Sequence, residues 1–380
     1  MNRLQIRKFG STEELRAVAA AWDDLWLRSE LTNPRARAHL VALWVEHFSP
    51  SEILQALAVE EEGRLVAALP LVGSRRLQGF VKVGALPYNA SAGNGDLLLD
   101  PATDIDAVLD LLVSAFNRLP WPFLWLDNIA FERSHWKALR AAMNRRSLSP
   151  EVRLDHHAAL VEIGNDWQTY EASWSSKRRQ NRRRQVRQLE QAGKTELKIY
   201  YPSPCQIHSF MIEGFELEDR SWKGSEGTSV LKTPGMLDFY CREAALLAEW
   251  GQLELVFLEH QDKAIAFDYG LNSKGVHYTP KVGYDEAYEK FSPGQLLVML
   301  FLQRLYADTE RKQLDFLGQP DPWKLSWATC TYPVGSIIAP TGRPLSKGMF
   351  QLYTSYINGR SQLQQFRQKR MKDEKIKDEG

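Results

Sequence analysis

The most conspicuous chemistry in the sequence is a run of positive charge in residues 173–200, "SWSSKRRQNRRRQVRQLEQAGKTELKIY". Seven of the eleven residues in 177–187 are Lys or Arg, although the chain of 380 residues has a formal net charge of only +1. Serines suited to helix capping precede the run, helix-favouring residues fill it, and Gly193 follows it. These features predict one helix of about five turns.

On this helix, Arg178 and Arg182 share a face with Val186 and Leu189, because these positions recur at helical spacing. An arginine that points inward needs a partner, and a phosphate or carboxylate can accept two parallel hydrogen bonds from its guanidinium. We therefore predict that Arg178 and Arg182 bind an anionic substrate and face a cleft between two domains. The outer face carries Arg179, Arg183, Arg184 and Arg187. For these four residues, an ordinary solvated charged surface is an equal alternative to anion binding.

A second anion site is predicted where "SPGQLLVMLFLQRL" begins a helix. Ser292 has the form of an N-cap, Pro293 fits the first helical position, and Gly294 lets the backbone approach a ligand. Backbone N–H groups at a helix N-terminus bind phosphate well. The candidate donor-binding residues are Ser292, Gly294, Gln295 and Leu296. The alternative is a well-capped buried helix that binds nothing.

The elements that must position these residues occur as a weak internal repeat. Each half of the chain reads as helix, hairpin, strand, helix and strand, and the hairpins turn at Gly63 and Asp262. Two similar α/β domains are therefore expected side by side, at 1–150 and 158–350. Residues 147–158 show no clear periodicity and are interpreted as the join, with His156 and His157 as linker residues. Residues 360–380 form a charged tail.

Four patches of sequence resemble a known family. They are "SWSSKRRQNRRRQVRQLEQAG", "RSWKGSEGTS", "GYDEAYEKFSPGQLL" and "QLDFLGQPDPWKLSW". Together they resemble the GNAT acetyltransferases associated with exopolysaccharide and cellulose biosynthesis (CelD-like or BioF2-like), relatives of the Fem-type peptidyltransferases. The resemblance implies an α/β (α+β) fold of tandem GNAT-like domains, each a mixed sheet flanked by helices. It also implies transfer of an acetyl or other acyl group from acyl-CoA to an amine or hydroxyl.

Acyl transfer to an amine requires a base and a group that protonates the leaving thiolate. Asp268 lies on the second hairpin and could face the cleft, and Tyr278, Tyr284 and Asp285 follow it. The alternatives are a solvent-facing carboxylate for Asp268 and packing roles for the tyrosines. Lys324 matches a lysine that follows the last strand in the family. Lys223 lies in a loop suited to a flexible lid, and both lysines are predicted to bind substrate. The alternatives are an inert helix connection at Lys223 and an ordinary surface lysine at Lys324.

Other function classes are excluded by what the sequence lacks. It has no P-loop, GxGxxG, GxSxG or HExxH motif. It also has no group of metal-ligating side chains at the spacing that metal sites use, so no metal is expected. The longest apolar run, 296–302, is too short to span a membrane, and a cytoplasmic location is expected. The balanced charge argues against a general nucleic-acid-binding protein. The acceptor is expected to be a small or phosphate-bearing molecule.

The identity of the donor stays open at this point. The Gln/Arg-GxG or GxA signature with which GNAT proteins usually bind pyrophosphate is absent from the sequence. Fem-type relatives use aminoacyl-tRNA, so aminoacyl transfer is one alternative to acyl-CoA chemistry. A second alternative is a non-catalytic protein of GNAT-like fold that binds RNA or another polyanion through its arginine-rich helix.

Overall fold

One mixed β-sheet runs through both halves of the chain. The computed structural model describes residues 4–76, 79–164, 166–343 and 345–354, and the predicted tail at 360–380 lies outside them. The strands of the first half are β1 (Leu4–Phe9), β2 (Leu54–Glu61), β3 (Arg64–Arg76), β4 (Val81–Ala85), β5 (Leu98–Leu99), β6 (Phe123–Ile129) and β7 (Glu151–Glu162). Those of the second are β8 (Thr195–Tyr200), β9 (Leu253–His260), β10 (Lys263–Ser273), β11 (Val276–Tyr284), β12 (Gln313–Asp315) and β13 (Cys330–Pro340).

Helices cover both faces of this sheet. The first half contributes α1 (Thr12–Ala17), α2 (Ala19–Arg28), α3 (Ala38–Phe48), α4 (Ile105–Ser114) and α5 (Ser134–Arg145). The second half contributes α6 (Trp167–Ala172), α7 (Ser176–Ala192), α8 (Ile207–Asp219), α9 (Trp222–Ser225), α10 (Met236–Glu249), α11 (Pro293–Ala307) and α12 (Pro322–Trp327). Residues 345–354 are also helical. None of the helices in the described ranges is long and apolar enough to cross a bilayer. The predicted α/β class, a mixed sheet flanked by helices, is confirmed.

The two halves exchange their last strands at the centre of the sheet. The order is β1-β2-β3-β4-β6-β13-β7-β12-β11-β10-β9-β8, with β5 paired to β3. Thus β13, from the end of the second half, pairs with β6 of the first, and β7 pairs with β12 of the second. Within each half, the strands before and after the long helix are parallel: β4 with β6, and β11 with β12. The predicted repeat of elements is therefore present.

The prediction of a linker at 147–158 is wrong. Residues 151–162 form β7, which pairs with β13 over nine registered positions from Glu151 to Leu160. The first half of this strand is polar and only partly buried, so its residues show no sustained apolar alternation. Its stability comes from two neighbouring strands that lie far away in sequence. Because the sheet passes through this region without interruption, the division into 1–150 and 158–350 stays a prediction.

Buried polar contacts fix the two halves against each other. The guanidinium of Arg35 donates to both carboxylate oxygens of Glu243, at 2.8 and 2.7 Å, and the two residues are 5% and 0% exposed. The hydroxyl of Tyr269 donates to the same carboxylate. The ammonium of Lys274 donates to three carbonyl oxygens at the end of α2, those of Trp26, Ser29 and Leu31. One apolar core surrounds these contacts and includes α2 and α3 as well as α8 and α10.

Candidate functional site

A cleft of about 700 Å³ opens where β11 and β12 separate. The two parallel strands are paired only from Val276 to Tyr278 on β11, because β12 ends at Asp315. Beyond that point β11 continues alone on this side to Tyr284. The chain after β12 turns away through Leu317 and Gly318, both with positive φ, of 50° and 60°. The edge of β11 from 279 to 284 is therefore left without a neighbouring strand at the cleft.

The walls of the cleft come from both halves of the chain. Residues 88–93 and Asn128 belong to the first half, and α9, the start of α11 and α12 belong to the second. Apolar side chains such as Leu297 and Phe316 alternate with a few polar groups, a composition common in small-molecule sites. A ligand of elongated shape can thus lie along the open edge of β11 with one end at the N-terminus of α11.

The N-terminus of α11 differs in detail from the prediction. Ser292 adopts a left-handed conformation (φ 54°) and makes no side-chain cap; its hydroxyl instead accepts from Nε2 of Gln185. The N–H groups of Gln295 and Leu296 both donate to the carbonyl of Ser292. Among the described residues, only the N–H of Gly294 in this first turn lacks an acceptor. Leu296 is 1% exposed and does not line the cleft, whereas Ser292, Gly294 and Gln295 do.

Arg178 and Arg182 are half-buried while Arg183 and Arg184 are exposed, as the predicted helix phase requires. Arg179, which was expected on the outer face, is also half-buried and donates to the carbonyl of Ala172. The Arg178 guanidinium lies between two indoles, 4.1 Å from the ring centre of Trp174 and 4.4 Å from that of Trp327. It also donates to the carbonyl of Ser326.

Arg182 connects α7 to α11. Its guanidinium donates to Oε1 of Gln185 at 2.9 Å and to Oε1 of Gln295 at 2.6 Å. Neither Arg178 nor Arg182 lines the space between the two halves, so the predicted position at an inter-domain cleft is wrong. Both arginines instead flank the N-terminus of α11, because α7 packs against that helix within the second half.

These two arginines have no acidic partner in the described part of the chain. Burial, together with the neighbouring positive charge of Arg178, lowers the pKa of Arg182 to about 10. Burial also lowers the pKa of Arg178. Three buried guanidinium nitrogens lack a hydrogen-bond partner among the described residues: Nε and Nη2 of Arg178 and Nε of Arg182. Two like charges held together without a counter-ion create a strong preference for an anion at this point.

Asp268 does not line the cleft. It is 2% exposed and accepts hydrogen bonds from Nε2 of His277 and from the hydroxyl of Thr279, both at 3.1 Å. Its strand lies between β9 and β11, and α11 covers this face, with Phe301 against the His277 ring. Burial raises the pKa of the Asp268 carboxyl. Asp268 is therefore a positioning residue for Thr279, which does line the cleft, and cannot touch a substrate there.

The other predicted acid–base residues are separated by the structure. Tyr284 lines the cleft beside Gly294, where a Cβ would lie 3.6 Å from its ring. Tyr278 is 6% exposed, hydrogen-bonds to the hydroxyl of Thr32, and faces a second, smaller cavity. Asp285 accepts from the N–H of Ala287 at the start of a 3-10 helix and is absent from the cleft wall.

Both predicted lysines line the cleft, each already bound to backbone. The ammonium of Lys223 donates to the carboxylate of Glu218 at 2.8 Å and to the carbonyl of Val282 at 3.2 Å. Its segment is the short helix α9 rather than a loop, and these bonds anchor it. Lys324 donates to the carbonyls of Leu317 and Gln319 and thereby holds the turn after β12. Burial lowers the pKa of Lys324.

Several residues at the site were missed by sequence reasoning. Thr279 and Asn128 line the cleft, and His156, interpreted as a linker residue, lies on β7 and lines the smaller cavity. The loop 88–93 is polar and rich in small residues, which is the one local signal that could have singled it out. Within the residues that the structure describes, no three His, Cys, Asp or Glu side chains come together as a metal site.

Comparison with known proteins gives a family match for the second half of the chain. Residues 176–325 match the family model of the acetyltransferase (GNAT) domain, so this part of the chain is a GNAT-type acetyltransferase domain. No curated protein matches the chain.

Solved structures of similar fold cover almost the whole chain. The crystal structure of FemX is 9% identical, with a TM-score of 0.58, over 91% of this chain and 99% of that one. A conserved protein of unknown function from Bacteroides thetaiotaomicron is 13% identical, with a TM-score of 0.53, over 85% of this chain and 97% of that one. L-PGS from Bacillus licheniformis is 12% identical, with a TM-score of 0.50, over 90% of this chain and 95% of that one. At these identities the likeness concerns the fold.

Proposed function

We propose that this protein transfers an acyl group from acyl-CoA to an amine or hydroxyl of a small-molecule or polysaccharide-precursor acceptor. The observation that carries the proposal is the cleft at the divergence of β11 and β12, which ends at the N-terminus of α11. An acyl-CoA is elongated, carries amides along its arm, and bears phosphates at one end. The open edge of β11 supplies backbone groups for the amides, and the helix start supplies a site for phosphate.

The side chains at the α11 end suit a phosphate group. The N–H of Gly294 and the guanidinium of Arg182, which is bound to Gln295, lie at the same helix turn, and Arg178 shares the Trp327 ring with Arg182. Two arginines take over the role that the Gln/Arg-GxG signature has in other GNAT proteins. The resemblance to the CelD-like or BioF2-like family supports a polysaccharide precursor as acceptor.

A titration of CoA and acetyl-CoA into the wild-type protein and the Gly294→Asp variant tests the proposal. The new carboxylate would repel phosphate and occupy the space beside Tyr284, and the two penalties should exceed about 2 kcal/mol, roughly a thirtyfold loss of affinity. The helix dipole tolerates an acidic residue in the first turn, so the melting temperature should hardly change. Gly164→Asp is the matched control, because a side chain at Gly164 meets open space.

Two outcomes would contradict this site. Equal CoA affinity of Gly294→Asp and wild type, at equal stability, would remove α11 as the phosphate site. Failure of the wild type to bind CoA would remove acyl-CoA as the donor.

A second candidate function rests on the outer face of α7. Lys177, Arg184 and Arg187 are exposed there beside the half-buried arginine pair, a surface suited to a polyanion such as aminoacyl-tRNA. Fem-type aminoacyl transfer, or RNA binding without catalysis, would then replace acyl-CoA chemistry. Binding of a tRNA acceptor-stem hairpin that weakens steeply with salt and in Arg184→Gln/Arg187→Gln would favour this candidate.

A further inference from the structure

The helix formed by residues 345–354 packs on the sheet through one side. Phe350 and Tyr353 are buried there in an apolar cluster with residues of β4, β6 and β13. The ring centres of Phe350 and Phe123 are 5.8 Å apart. Ser346, one turn earlier on the same side, is buried as well. These contacts fix which side of the helix faces the sheet.

A second apolar side of this helix lies in solvent. Leu345, Met349 and Leu352 recur at helical spacing and are 80%, 42% and 73% exposed. Each of them directly precedes a residue of the packed side, so this apolar stripe lies about 100° around the helix from the contact with the sheet. Gly348 also faces solvent, since a Cβ at this position would have no atom within 4 Å. Several large apolar side chains exposed together on one helix indicate a contact surface.

The charge around the apolar stripe is positive. Arg343 and Lys347 are exposed, and within the described ranges neither forms an ion pair. The sequence from 343 to 372 contains no Asp or Glu and seven basic residues, the last five of them beyond residue 354: Arg343, Lys347, Arg360, Arg367, Lys369, Arg370 and Lys372. Because the whole chain has a formal net charge of only +1, this stretch is a local concentration of positive charge.

An apolar stripe beside unpaired basic residues suits an anionic lipid bilayer. Acyl chains take up leucine and methionine side chains, and headgroup phosphates attract Lys and Arg. A nucleic acid would use the positive charge but leave the apolar stripe in water. A second copy of this chain would cover the stripe but bring like charges together, which opposes the contact.

We propose that the apolar stripe and the basic sequence around it dock this protein on the surface of an anionic bilayer. The helix lies in the plane of the interface, with Leu345 and Leu352 among the outer acyl segments and Arg343 and Lys347 at the headgroups. Such a peripheral contact needs no membrane-spanning segment. The inference does not depend on the identity of the acyl donor.

Co-sedimentation of the full chain with lipid vesicles tests the proposal. We expect binding to phosphatidylcholine vesicles that contain phosphatidylglycerol, binding at least tenfold weaker to phosphatidylcholine alone, and weaker binding at high salt. Leu345→Gln/Leu352→Gln should weaken binding at least tenfold, because it removes the apolar contact and keeps the charge. Leu27→Gln is the matched control, at a leucine that is 64% exposed on α2, and should leave binding unchanged.

Gly348 offers a matched pair of variants with opposite charge. Gly348→Lys and Gly348→Glu both replace a helical glycine that faces open space, so neither should destabilise the fold. The lysine should strengthen binding to the anionic vesicles and the glutamate should weaken it, each about fivefold. Melting temperatures of all variants serve as the control for folding.

Four outcomes would overturn the proposal. They are no binding to the anionic vesicles, equal binding by wild type and the double leucine variant, a dimer in ultracentrifugation that the double leucine variant dissociates, and binding to single-stranded RNA without binding to vesicles. Titration of CoA into the same variants keeps the two proposals apart, since their CoA affinity should equal that of wild type. A wild type that binds vesicles but not CoA would retain the docking surface and remove the acyl-CoA function.

Discussion

Nη2 of Arg182 donates a 2.6 Å hydrogen bond to Oε1 of Gln295. This bond joins the arginine-rich helix α7 to the first turn of α11, the helix that ends the cleft. The same Oε1 accepts from the indole N–H of Trp327, on which Arg178 and Arg182 both lie. The positive charge of Arg178 and Arg182 is therefore held beside the N-terminus of α11 by a neutral amide and an indole, and no carboxylate of the described residues neutralises it.

Replacing either inner arginine should weaken CoA binding. Arg178→Gln and Arg182→Gln each remove charge-assisted hydrogen bonds worth about 1.5 to 3 kcal/mol, so the Kd for CoA should rise about tenfold or more. Arg183→Gln and Arg184→Gln are matched controls on the exposed face of the same helix, and should change the Kd by less than about twofold. Calorimetric titration measures all four variants. Equal effects of inner and outer substitutions would assign the helix a diffuse electrostatic role instead.

The buried pair of Arg35 and Glu243 should be essential for the stability of the joined halves. Arg35→Met leaves the Glu243 carboxylate buried without its counter-ion, which should lower the free energy of unfolding by about 3 to 5 kcal/mol. The double variant Arg35→Met/Glu243→Met removes both charges and should recover much of that loss. Urea denaturation of the single and double variants gives the coupling energy. If the two single effects simply add, the pair does not act as a unit.

His277 should make stability depend on pH above neutrality. Burial favours its neutral form, but the carboxylates of Asp268 and Glu254, at 3.1 and 2.6 Å, raise its pKa to about 9 from an ordinary value of 6.5. The folded state thus holds this proton more tightly than the unfolded chain. The resulting stabilisation is complete below about pH 6.5 and disappears as the pH rises through 9, and amounts to about 3 kcal/mol.

A comparison of His277→Gln with wild type isolates that contribution. The variant should be less stable at pH 6, and the difference in unfolding free energy should shrink between pH 6.5 and 9.5. His208→Gln, at an exposed position, should parallel the wild type throughout. A constant difference across this range would mean that His277 is neutral in the folded protein.

Local periodicity was sufficient for the parts of the site that lie on single elements. The 3.6-residue repeat set Arg178 and Arg182 on the inner face of α7, and the Ser-Pro-Gly sequence marked the start of α11. Side-chain spacing along a helix fixes which residues share a face, so these features follow from sequence alone. The turns of the two β-hairpins, at Gly63 and at Asp262, also follow from local sequence, because only certain residues adopt the backbone conformations that such turns require.

The tertiary structure alone decided which residues meet. β7 is a central strand because its partners β12 and β13 arrive more than 150 residues later, and nothing within 147–158 encodes that pairing. The same exchange of strands carries His156 into the small cavity. Asp268 was expected at the cleft from strand alternation, but alternation only separates the two faces of a sheet. Packing of α11 on that face buried the carboxylate with His277, because the helix that covers a strand is chosen by long-range contacts rather than by the strand's own sequence.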